Sequence, residues 1–234
     1  MHDWETVEVT STLQTDRYLA VFFNNNSPKL SKNIRQGLSY GLEKPQDKTR
    51  ARGPIDSASW AYLEGGKSYD KDLDRALERL VDGLPPEPLE LELTTTTNYQ
   101  QEAESIKQQW EELGEKAVPY CTENKDEGKD LCENLRIKVN ILIRNFPDTS
   151  NFELLLLGQD SPPDPDQYFL WHSEQPTNFT HYKNTRIDSL LEKGRKTLDQ
   201  SERLAVYQEF QQFLLEDPPA IFLRNLESYE VRRK

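Results

Sequence analysis

The stretch Phe152 to Ser173, FELLLLGQDSPPDPDQYFLWHS, constrains the fold more than any other part of the chain. Its nearly unbroken apolar run reads as a strand buried on both faces. One Gly, three Asp and three Pro then break the chain into a tight acidic loop, and the aromatic cluster Tyr168, Phe169 and Trp171 follows. Open α/β sheets hold ligands where a buried strand empties into a loop of this kind. The loop is therefore expected to form one wall of a binding cleft.

The rest of the chain alternates strands with helices. Strands are predicted over residues 5–9, 18–24, 89–93 and 137–143, with short ones over 117–120 and 220–223. The segment after Pro28 has Ser31 as a plausible N-cap, Leu30, Ile34, Leu38 and Leu42 on one face, and Pro45 to end it, so it reads as a helix. Further helices are predicted over 69–80, stopping at Gly83, and over 99–113, with Gly114 as C-cap. A short acidic helix is predicted over 126–135, and two more begin at Arg186 and Glu202. Residues 45–62 form a long irregular segment that begins basic and ends in Trp60 and Tyr62. The alternation points to one α/β domain over residues 1–234, a mixed sheet flanked by helices.

Charge and composition exclude several functions. Hydrophobic residues make up 35% and charged residues 30%, with a net charge of −12, so phosphate backbones meet repulsion and no nucleic-acid partner is expected. The basic runs Lys48–Arg52 and Arg232–Lys234 read as solvated segments. No apolar run is long enough to span a bilayer as a helix. The opening MHDWETVEV has no apolar signal core, but a chain that begins inside a longer protein reads the same. Cys121 and Cys132, eleven residues apart, close a small loop in an oxidising compartment and are ordinary thiols in a reducing one. Their spacing to His172 and His181 does not suit zinc, and no metal or cofactor is expected.

Several blocks in order resemble one family. These are YLAVFFNNNSPKLSKNIRQGLSYGLEK, GPIDSASWAY, YDKDLDRALERLVDGL, LELELTTTTNYQQEAESIKQQWEELG, GQDSPPDPDQYF and the long block from Asn178 to Leu223. Together they resemble the C-terminal part of bacterial extracytoplasmic solute-binding proteins of the peptide/nickel class (family 5), the receptors of ABC importers. The resemblance implies a periplasmic-binding-protein-like (type II) lobe, with the N-terminal lobe and signal segment outside this chain. It also implies an extracytoplasmic location, a membrane permease as partner, and a peptide or other small solute as ligand.

The resemblance further implies that Asp160 meets the ligand's α-amino group, and its neighbour Gln159 is a further ligand-binding candidate. A carboxylate at the edge of a closing cleft gains from a charge-assisted bond to an ammonium. The plainer alternative for Asp160, Asp164 and Asp166 is turn formation or helix capping. Dipeptide-specific relatives place an arginine after the strand matched by residues 89–93, where this chain has Thr95, Thr96, Thr97 and Asn98. Thr97 and Asn98 can hydrogen-bond a peptide backbone but cannot neutralise a terminal carboxylate, which favours longer peptides or another ligand. A threonine run also suits a strand, with Asn98 capping the next helix. Trp60, Tyr62, Tyr168 and Trp171 are candidates to bury ligand side chains, although aromatics at such spacings also serve cores.

No phosphate loop, nucleophile elbow or Cys/His pairing is present, and the acidic loop lacks the glycine and terminal glutamate of a calcium loop. A glycosidase would need two carboxyls facing each other across a sugar, usually from separate elements. The chain is therefore expected to bind rather than catalyse. An acidic protein-interaction or scaffold module on the same fold is the alternative.

Overall fold

Leu154, Leu155 and Leu156 are fully buried in the middle strand of a five-stranded mixed sheet, in a computed structural model that describes residues 7–233. The strands are β1 (Val7–Phe23), β2 (Glu90–Thr95), β3 (Lys138–Ile143), β4 (Leu154–Asp160) and β5 (Ala220–Arg233), in the order β3-β2-β4-β1-β5. β2 runs parallel to both β3 and β4, while β1 is antiparallel to β4 and β5.

Alternation along β1 shows why the sheet carries a layer on each face. Leu19, Val21 and Phe23 enter one core with α1 (Lys32–Tyr40), α2 (Leu73–Asp82) and α3 (Gln100–Asn124). Tyr18, Ala20 and Phe22 enter a second core with the short helix α4 (Tyr168–Trp171), α5 (Thr185–Lys196) and α6 (Gln200–Glu216). Local signals set the helix starts: Ser31 Oγ accepts from Ile34 N, Asp72 caps α2, Asn184 caps α5 and Asp199 caps α6.

Four sequence expectations need correction. The stretch 5–9 and 18–24 is one strand from Val7 onward, with residues 5 and 6 outside the described range. The 220–223 strand continues to Arg233, so Arg232 and Arg233 pair with Glu8 and Val7 rather than trailing free. Helix α3 does not stop at Gly114 but continues through 117–120 and Pro119 to Asn124, and the predicted 126–135 helix is a 3₁₀ stretch over Lys129–Leu135. Gly114 serves packing instead of capping, because a Cβ there would lie 2.4 Å from Ile137 N. The end of α3 is held by a Cys121–Cys132 disulfide, with both half-cystines buried.

The basic segment 48–52 is the fourth correction. Arg50 is only 9% exposed, and its Nη1 donates to the carbonyls of Ala51, Phe222 and Leu223. Thr49 O accepts from Asn225 N, and Arg50 bridges Arg224. Residues 49–51 thus cover the outer edge of β5, which would otherwise present unpaired backbone groups.

Candidate functional site

The parallel strands β2, β3 and β4 all end at the same side of the sheet, and β1 and β5 continue past it. Residues 7–14 pair with 226–233 as a two-stranded ribbon whose residues are mostly exposed. The register breaks between Gln14 and Tyr18, leaving Thr15, Asp16 and Arg17 as a bulge opposite β5. Arg17 there pairs with Asp160 at the end of β4, and Ser161 N donates to Asp16 O. Bulges of this kind bend a strand and re-aim its side chains.

Arg17 Nε lies 2.7 Å from Asp160 Oδ1, and both side chains are more than half exposed. The hydrogen bond and charge of Asp160 raise the Arg17 guanidinium further above its usual pKa. Beside this pair, Gly158 lies under Tyr99, where a Cβ would come within 2.8 Å of the phenol oxygen. A side chain at this position would push the Tyr99 phenol and the Leu226 methyl aside. Thr97 and Asn98 are exposed in the 3₁₀ turn between β2 and α3, and Asn98 caps nothing, because Tyr99 occupies the N-cap without a side-chain bond. Thr95 is buried, its hydroxyl donating to Leu156 O. Phe146, just after β3, is 94% exposed at the same end of the sheet.

The other candidates gather elsewhere. Residue pairs directly opposite on antiparallel strands share a face, so Gln159, opposite Tyr18, turns toward the α4–α6 side while Asp160 turns toward α3. On that α4–α6 side Trp60 packs edge-on to Tyr207 and under the guanidinium of Arg203, which holds Asp164 at 2.8 Å. Tyr168 lies under Arg195, which holds Asp166 at 2.7 Å, and stacks on His172. Asp166 also accepts from Tyr168 N, and Asp164 accepts from Asp166 N. These two carboxylates therefore shape the loop and fasten it to α5 and α6. Arg203 and the Asp166 N–H hold the Asp164 carboxyl below its usual range. Trp171 is fully buried against Phe22 and Phe222 and has no surface to offer a ligand. Tyr62 is half-buried beside Arg50 and Arg52.

The eight candidates thus fall into four places. Asp160, Thr97 and Asn98 lie at the strand ends beside the ribbon, with Gln159 on the reverse face. Trp60, Tyr62 and Tyr168 lie on the α6 side, and Trp171 is core. Sequence reasoning missed Arg17 and Tyr99, whose partners lie 143 and 59 residues away. Among the described residues no cluster of three or more His, Cys, Asp or Glu is arranged to hold a metal, and no helix is long and apolar enough to cross a membrane.

No family model matches the chain. Protein XP55 of Streptomyces lividans is 27% identical over 195 residues, covering 82% of this chain and 31% of that protein. The probable D,D-dipeptide-binding periplasmic protein DdpA of Escherichia coli (strain K12) is 23% identical over 195 residues, covering 80% of this chain and 35% of its own. Among solved structures, NikZ from Campylobacter jejuni in complex with Ni(L-His) superposes with a TM-score of 0.79 at 25% identity, over 98% of this chain and 49% of that one. The chain spans about a third of the length of these curated relatives and about half that of the solved neighbour.

Proposed function

We propose that this chain, a homologue of the peptide- and nickel-type (family 5) solute-binding proteins, is the C-terminal lobe of an ABC-importer receptor that closes over a peptide. The observation that carries the proposal is the placement of Asp160 and Arg17 at the root of the ribbon, on the side where three parallel strands end. The ribbon is the natural connection to a second lobe, and the bulge at Thr15–Arg17 is the natural hinge.

In this reading Asp160 receives the ligand's ammonium, and Thr97 and Asn98 meet its backbone. The Arg17–Asp160 pair is solvated while the cleft is open, so it contributes little to stability there. Closure removes water and strengthens every charge-assisted bond at this point. The ligand thereby binds the closed state better than the open one, which is what shifts the population toward closure. The closed form is then the one a permease recognises. No step calls for a nucleophile or a general base, so the proposed activity is binding and not catalysis. The location that follows is extracytoplasmic.

The test uses the full-length receptor. Mass spectrometry of the co-purifying ligand should recover peptides, and a peptide mixture should raise the thermal midpoint. Asp160→Asn should weaken peptide binding roughly ten- to hundredfold with little change in the midpoint of the unliganded protein. Recovery of a sugar or a metal chelate instead of peptides would overturn the peptide assignment. No stabilisation by any peptide mixture, together with no co-purifying solute, would overturn the transport role with it.

A further inference from the structure

Away from the strand ends, the edge of β5 carries a cavity whose wall is basic in a chain of net charge −12. An inner space of about 20 Å³ is lined by Lys44, Arg50, Arg52, Lys67 and Ser68. Arg52, Lys67 and Ser68 also line an outer space of about 500 Å³ that opens toward Tyr62 and Gln211. The inner space has room for about one water-sized atom, such as a single oxygen of an anion, and the outer one has room for the rest of a small molecule.

Among the described residues none of these four cations has a carboxylate within salt-bridge distance, although sixteen other ion pairs form across the chain. No carboxylate lines the inner space and Glu64 alone lines the outer one, while Asp70, Glu43 and Glu216 face these cations from beyond salt-bridge distance. Arg50, more than nine-tenths buried, spends Nη1 on three carbonyls and leaves Nε buried with no partner. A buried charged donor without an acceptor is costly, and because Arg50 lines the inner space, an anion seated there lowers that cost through its charge.

We propose that this cavity binds a tetrahedral oxyanion, either free phosphate or the phosphate group of a small solute. Arg52 and Lys67 line both spaces and bring a guanidinium and an ammonium to them, while Lys44 Nζ is already spent on three carbonyls. A carboxylate offers such donors two oxygens and a phosphate offers three or four, so the tetrahedral group satisfies more of them. Arg52 supplies the planar fork and Lys67 a point charge, while Ser68 accepts from Arg52 at 3.3 Å and bonds the Asp70 carboxylate. The site is independent of the solute-binding role proposed above.

The experiment measures the thermal midpoint of the chain against inorganic phosphate, glycerol phosphate and citrate, each compared with sodium chloride at matched ionic strength. Phosphate is expected to give a saturable rise that chloride does not. The double substitution Arg52→Gln with Lys67→Gln removes two exposed side chains, so the fold is retained, and it should weaken phosphate about tenfold or more, or 1.4 kcal/mol. Tighter binding of glycerol phosphate than of inorganic phosphate identifies a phosphorylated solute, and the reverse identifies the free ion. A phosphate effect no greater than that of chloride would overturn the proposal, as would an effect undiminished in the double variant. Stabilisation by citrate alone would overturn the tetrahedral assignment.

Discussion

Lys44 offers the sharpest test of how the core was built. It is 3% exposed, and its Nζ donates to the carbonyls of Ser39 at 2.5 Å, Leu42 at 3.1 Å and Tyr69 at 2.6 Å. It therefore satisfies orphan carbonyls at the end of α1 and ties that end to the segment leading into α2. Burial first, and then the charge of Arg50, push its pKa down from 10.5 to about 7, against a smaller upward pull from Asp70 and Glu43. Between those two values the unfolded chain binds a proton that the folded chain does not, so stability rises with pH across this window. The burden of the buried ammonium is fully present below pH 7 and disappears above about 10.5. Integrated from pH 7 to pH 9, the gain is about 2 kcal/mol. Above the usual tyrosine range the slope reverses, because burial raises the pKa of Tyr18, Tyr69 and Tyr182 and the unfolded chain then loses protons first.

The assay is urea unfolding at pH 7, 8 and 9 at fixed ionic strength, with Lys44→Met alongside. The variant leaves three carbonyls unpaired and should be less stable at pH 9, so the slope and not the level is the diagnostic. Wild type should gain on the variant by about 1 kcal/mol per pH unit. Parallel curves would refute the reasoning. They would mean that the three carbonyls, matched to the three protons of the ammonium, hold Lys44 charged throughout and cancel the effect of burial.

Three other outcomes follow from the packing. Thiol titration of the unfolded, unreduced chain should find no free cysteine, and Cys121→Ser with Cys132→Ser should cost about 3 kcal/mol, the closure entropy of a loop of this length; two titratable thiols would refute the pairing. Gly114→Ala, favourable by about 1 kcal/mol on helix propensity alone, should instead destabilise in a chemical melt because its Cβ meets Ile137 N. Trp110→Phe should cost about 2–4 kcal/mol by the same measurement, since it leaves a void at a fully buried site and frees Leu38 O from the indole N–H that now donates at 3.0 Å.

What the sequence made legible was whatever is written locally. Ser31 announces the start of α1 and Gly83 the end of α2, and the leucines of β4 announce a strand with a layer on each side. The helix end at Gly114 misled because a glycine needed for close approach reads the same as one needed for a cap. Only the segment that approaches it, more than twenty residues on, tells them apart. Arg50 misled similarly, since a basic run predicts solvent unless an uncovered strand edge offers carbonyls to receive it.

The same limit explains the uneven outcome at the candidate site. Asp160 and Thr97 stand in one-dimensional relation to strands that sequence patterning finds, so their placement at the strand ends was accessible from the chain alone. Arg17 was not, because nothing near it differs from any polar stretch of a long strand; its meaning comes from the bulge that turns it toward Asp160. Trp171 shows the converse, an aromatic beside the acidic loop that the short helix α4 directs inward onto Phe22. Which aromatic in FLW faces out is decided by one turn of helix: Phe169 is 62% exposed and Trp171 is fully buried, two residues apart. A four-residue helix lies below the length at which periodicity can be read, so that choice belonged to the packing against β1.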